Sequence, residues 1–106
     1  MIKRIWRGYT TPENAGPYQN LLDTVVFPGI EAKGIPGYRS IELLRRAVGD
    51  HVEFTTVMCF DSIDNVIAFQ GSDFEAAYVP DAARKLLSHW EERSTHHEVI
   101  QERRYS

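Results

Sequence analysis

Two adjacent histidines, His96 and His97, are the most distinctive polar feature of the chain. Imidazole titrates near neutrality, so either ring could act as a general base or polarise a carbonyl. Neighbouring residues on a strand point to opposite faces, so only one of the pair can enter a given pocket, and the two cannot easily chelate one metal. Either can equally be a hydrogen-bonded structural histidine at a sheet or dimer surface. Tyr78 lies in an irregular link between Phe74 and Pro80, where side chains commonly rim sites. Arg39 follows Pro36-Gly37-Tyr38 at a strand start and could hold an anionic substrate oxygen or join a surface ion pair. The aromatics Trp6, Phe27, Tyr38, Phe54, Phe60, Phe69, Phe74, Tyr78 and Trp90 could wall an apolar ligand site, or simply pack a core. His51 and His89 fall at a hairpin and at a helix end. Cys59 sits in an apolar run, where a thiol behaves as a small hydrophobe.

No metal-ligand, phosphate-loop or dinucleotide signature is visible: Gly29, Gly34 and Gly37 lack the strand-turn-helix setting that such a fingerprint needs. The residues therefore predict neither metal nor cofactor.

The elements that must position these groups follow from periodicity. Ile2 to Thr10 alternates, with Ile5, Arg7 and Tyr9 on one face and Ile2, Arg4, Trp6 and Gly8 on the other, which predicts a strand. Tyr18, Leu21, Leu22 and Val25 form a helical stripe, with Asn14 as N-cap and Pro17 in the first turn. Pro28-Gly29, Gly34 and Pro36-Gly37 predict an ordered loop from Phe27 to Gly37. Strands at Tyr38 to Val48 and His51 to Phe60 join through Gly49-Asp50 as an antiparallel hairpin, with Leu43 and Phe54 in the core. Asp61 or Ser62 caps a helix carrying Ile63, Val66 and Ile67, flanked by Phe69 and ended by Gly71. A short helix after Pro80 carries Ala83, Leu86, Leu87 and Trp90, and a last strand lies within Glu91 to Arg104. This order predicts one α+β domain spanning 1–106: a ferredoxin-like, four-stranded antiparallel sheet with helices on one face. Apolar residues on both faces of the third strand, including Val57 and Cys59 beside Thr55, predict that a second subunit covers part of the other face.

Composition bounds the function. The chain has 106 residues, 42% hydrophobic and 25% charged, and a formal charge of −3 from 12 basic and 15 acidic residues. That size lets it bury roughly 65% of its unfolded surface without a staple. The balance argues against nucleic acid as a partner, and no apolar run reaches the ~20 residues of a membrane span. The N-terminus lacks the apolar stretch of a secretory signal, and one cysteine fits a reducing compartment, so the expected location is cytoplasmic.

In order along the chain stand Phe27-Pro28-Gly29-Ile30, Tyr38-Arg39 to Leu44-Arg45-Arg46, Gly49-Asp50 before Val52-Glu53-Phe54, Phe60-Asp61-Ser62 with Ile67-Ala68-Phe69 and Gly71, and His96 to Val99. In this order and spacing the chain resembles the small antibiotic biosynthesis monooxygenase family of dimeric α+β barrels. The resemblance implies a homodimer whose two sheets meet in a barrel, with a pocket between each sheet and its helices. It also implies oxygenation of a small phenolic, quinol or polyketide-like substrate without metal or flavin, the deprotonated substrate supplying electrons to dioxygen. His96 or His97, Tyr78 and Arg39 would then serve the reaction, and Trp6, Phe60 and Phe69 would wall the pocket. A haem-degrading branch of the superfamily carries tryptophan and histidine where this chain has Phe69 and Val79, a departure that points away from haem. The alternative function is a non-catalytic dimeric barrel that binds an apolar small molecule.

Overall fold

In the computed structural model, which describes residues 1–106, alternation fixes the first strand, β1 (Ile2–Thr10). Arg4, Trp6, Gly8 and Thr10 are buried under the helices, and the intervening residues face the other way. The first helix, α1 (Pro12–Leu21), starts earlier than expected: Thr11 is the N-cap, its hydroxyl accepting the Asn14 N–H at 3.3 Å. Asn14 is a tether instead, its amide donating to the Leu86 carbonyl at 3.2 Å. Pro17 therefore falls inside the helix, on its exposed side.

The expected loop from Phe27 to Gly37 is a correction. The helix runs on through a π-helical turn (Leu22–Val26) into α2 (Phe27–Ala32). Proline is tolerated in a first turn, where its missing N–H costs little, and the Phe27 N–H reaches back to the Leu22 carbonyl. That wider turn inserts one residue. It brings Val26, not the expected Val25, onto the buried stripe with Ala15, Tyr18, Leu22 and Ile30.

Strands β2 (Tyr38–Val48) and β3 (His51–Phe60) form the expected hairpin, and Gly49 alone supplies the positive φ (+57°). A bulge at Arg39 lets Tyr38 and Ile41 share the helix side. Helix α3 (Ile63–Gln70) ends at Gly71 (φ +97°) as expected, but its buried face carries Val66 and Phe69 while Ile67 is exposed. The last helix, α4 (Asp81–Arg84), is a single turn: Leu86 and Leu87 follow it, and Trp90 belongs to a strand.

The sheet order is β2-β3-β1 with the fourth position filled in two pieces, β4 (His89–Trp90) and β5 (Thr95–Glu98), both antiparallel to β1. Between those pieces the chain bulges toward the link after α3. Ala77 donates to the Glu92 carbonyl and Ser94 to the Glu75 carbonyl, at 2.9 and 2.6 Å. This is a ferredoxin-like antiparallel sheet of four strand positions with helices on one face. No helix is long and apolar enough to cross a membrane.

Candidate functional site

Between the helix side of the sheet and its covering lies a cavity. Sixteen residues line it, twelve of them hydrophobic, so the guest it suits is mainly apolar. The floor comes from β1 (Arg4, Trp6), β2 (Ile41) and β3 (Thr56, Met58). Cross-strand pairing sets Arg4 opposite Met58 and Trp6 opposite Thr56. One wall is the stripe of Tyr18, Leu22, Val26, Phe27 and Ile30, and the other is Phe69 with Tyr78, Val79 and Pro80. The space is tight: a water-sized sphere's centre has about 40 Å³ in which to move. That admits a water or two, so an aromatic guest has to widen it. The link carrying Tyr78 and Pro80 lacks regular secondary structure, but Arg4 holds its Phe74 and Ala76 carbonyls.

The expected site residues separate cleanly. Trp6, Phe69 and Tyr78 line the cavity. The Trp6 indole donates to the Glu91 carbonyl at 2.6 Å, which fixes its ring. Tyr78 packs on Phe69, with ring centroids 4.9 Å apart, and the Lys33 ammonium sits 4.6 Å from the Tyr78 ring centre. Phe60 is one layer back, fully buried against Tyr38 and Phe69. Arg39 is on the surface, paired with Asp61 through Nε at 2.8 Å and Nη2 at 2.5 Å, and does not reach the cavity. The pair holds the Asp61 carboxyl below its usual range, chiefly through the hydrogen bond from Arg39.

The two histidines point to opposite faces, as alternation requires. His97 is exposed on the uncovered face, its Nε2 2.9 Å from the Thr95 hydroxyl. His96 lies on the helix side opposite Arg4, its Nε2 2.9 Å from Arg4 Nη1 and its ring edge-on to Phe74. A guanidinium only donates, so His96 Nε2 is the acceptor and Nδ1 carries the proton, an assignment made from the hydrogen bond. Burial, then the Arg4 charge, push the His96 pKa down. Its basic nitrogen is thus occupied by Arg4, and the ring stands behind the cavity lining.

Sequence reasoning passed over three polar lining residues, Arg4, Thr56 and Ser94. Arg4 is 2% exposed and has no carboxylate partner; it donates from Nη1 to the Phe74 carbonyl and His96, and from Nη2 to the Ala76 carbonyl at 2.8 Å. Burial brings its pKa down to about 10, which leaves it cationic at neutral pH. The available signal was its phase: a charge on the same face of β1 as Trp6. Ser94 is 3% exposed and its hydroxyl has no protein partner. It sits where the fourth strand position is interrupted, a break that periodicity does not reveal. No group of three or more His, Cys, Asp or Glu side chains is placed to hold a metal ion.

No family model matches this sequence, and no curated protein matches it. Solved structures do. Rv0793 from Mycobacterium tuberculosis superposes with a TM-score of 0.59 at 19% identity, over 95% of this chain and 96% of its own. A dimeric ferredoxin-like protein from an uncultured marine organism gives 0.68 at 12% identity, over 98% of each chain. These likenesses establish the fold. The chain shares it along nearly its whole length.

Proposed function

We propose that this chain admits a small aromatic molecule to the cavity between sheet and helices and oxygenates it with dioxygen, working as a homodimer. The observation that carries the reading is the cavity itself: an apolar space walled by Trp6, Tyr18, Phe27, Phe69 and Tyr78. Flat rings stack on such walls, and a dry surround strengthens any charge interaction inside. The oxygenase chemistry comes from the resemblance to the antibiotic biosynthesis monooxygenase family. There the substrate is its own reductant. An activated ring methylene becomes a carbonyl as its carbon gives four electrons to dioxygen. One oxygen atom stays on the carbon and the other leaves as water with both hydrogens.

Tyr78 is the proposed catalytic side chain, since its ring is at the cavity wall. His96 is proposed as a positioning residue that holds Arg4. Trp6 and Phe69 would flank the substrate, with Phe60 supporting Phe69.

Three observations support the dimer. The face away from the helices carries apolar groups, Ile5 opposite Val57 and Leu44 at 50% exposure. The chain also exposes 6620 Å², against about 6,050 Å² expected of a folded monomer of this mass. One solved structure of the same fold is described as dimeric.

A second reading, a non-catalytic binder of the same guest, is favoured by one fact: neither His96 nor His97 lines the cavity. Oxygen consumption by the purified protein against a panel of phenols, quinols and anthrone-like ketones, with mass detection of products, separates the two. Uptake matched mole for mole by a product gaining one oxygen and losing two hydrogens supports the oxygenase. Tight binding without uptake supports the binder.

A further inference from the structure

We infer that the guest of this cavity is an aromatic carboxylate, whose oxygens are taken by Arg4 and Ser94. The inference rests on the reading that the cavity binds a small aromatic, and it names the chemical class. Arg4 carries five N–H donors in a fixed plane. Three of them are used within the protein, on the Phe74 and Ala76 carbonyls and on His96. The Nε–H and one Nη2–H have no protein acceptor, which leaves two charged donors for a carboxylate. Burying a lone cation is costly unless an opposite charge meets it. Carbonyl and imidazole acceptors hold the guanidinium in place without neutralising it, so the remaining counter-charge is left for a guest.

Ser94 adds an independent observation: a hydroxyl buried to 3% exposure, on the same cavity, with no protein partner. Such a group costs stability unless something else bonds it. A neutral hydrocarbon would satisfy neither residue. An anion accepts from both, while its ring lies between Trp6, Phe69 and Tyr78. Lys33, whose ammonium sits over the Phe69 and Tyr78 rings at 5.5 and 4.6 Å from their centres, adds positive charge beside that wall.

The test compares neutral and anionic isosteres by calorimetry at pH 7: benzoate against benzamide, and 2-naphthoate against 2-naphthamide. The wild-type protein should favour each acid by about 10- to 100-fold, the factor expected for a hydrogen-bonded charge. Arg4→Gln should erase that preference. Because Arg4 also anchors the Phe74 and Ala76 carbonyls and its loss can compromise folding, Ser94→Ala is measured alongside: it should weaken the acids about 3- to 10-fold and the amides, whose neutral carbonyls accept a weaker bond, by less. Amides binding as tightly as acids to the wild-type protein would overturn the anion assignment while leaving the apolar cavity reading intact. Failure of all four compounds to bind at millimolar concentration would overturn both.

Discussion

Phe54→Ala should be among the most damaging single changes available in this domain. Phe54 is 0% exposed and meets the Tyr18 ring edge-on, with centroids 4.9 Å apart, at the junction of β3 and α1. Removing the ring takes away roughly 150 Å² of buried apolar surface, or about 4 kcal/mol at ~25 cal/mol per Å². The edge-on pair adds about 1 kcal/mol, and partial collapse of the cavity returns some of it. The expected loss is about 3–5 kcal/mol. Leu43, which sequence reasoning put in the same class, is only half-buried on the edge strand β2. Leu43→Ala should cost about 1–2 kcal/mol, the reduced figure for a partly exposed site. Urea melts of both variants, with unchanged denaturant slope, measure the difference. A loss below about 1 kcal/mol for Phe54→Ala, or equal losses for the two, would refute this placement of the core.

Stability should fall as pH drops from 7 toward 5, and His96→Gln should flatten part of that fall. Burial, then the Arg4 charge, hold the His96 pKa below the ordinary imidazole value of 6.5, against the opposing pull of Glu75. Below pH 6.5 the unfolded chain therefore takes a proton that the folded one refuses. Glu53 and Asp61, whose pKa values are lowered from 4.5 and 3.8, lose their contributions only at lower pH, so the window belongs to histidine; identical pH slopes in the two proteins would exclude the effect. Sedimentation equilibrium at micromolar concentration should show a dimer, and Val57→Glu or Leu44→Glu should shift it toward monomer. A monomer at every concentration would remove the proposal that the open face is covered.

Strand alternation made β1 and β3 legible, because one face of each is buried and a period of two survives in the residue types, while the edge strand β2, nowhere more than half-buried, was legible from the Gly49-Asp50 turn that joins it to β3. The failures were local. Pro28 and Gly29 read as breakers, yet a π-helical turn ahead of them absorbed the disruption and kept Val26 and Ile30 on the buried stripe. Trp90 followed a helical spacing after Ala83, but α4 is one turn long and the fourth strand position starts at His89. Of the candidate site, Tyr78 was legible from its place in an irregular link, and Trp6 and Phe69 as wall residues from the family resemblance; all three line the cavity. Arg4 and Ser94 were not, since a buried guanidinium and a buried hydroxyl are recognised only once the acceptors around them are known.

The central claim is that the cavity beneath the helices takes a small aromatic guest, and methyl NMR tests it most directly. With Ile and Met methyl groups labelled, titration with 2-naphthoate or 2-naphthol should shift the Ile41, Met58 and Ile30 signals, all from cavity-lining residues, while the open-face Ile5 stays unmoved. Shifts confined to Ile5 and the exposed Ile67 and Ile100, with Ile41 and Met58 unchanged, would place the guest outside the cavity and contradict the account.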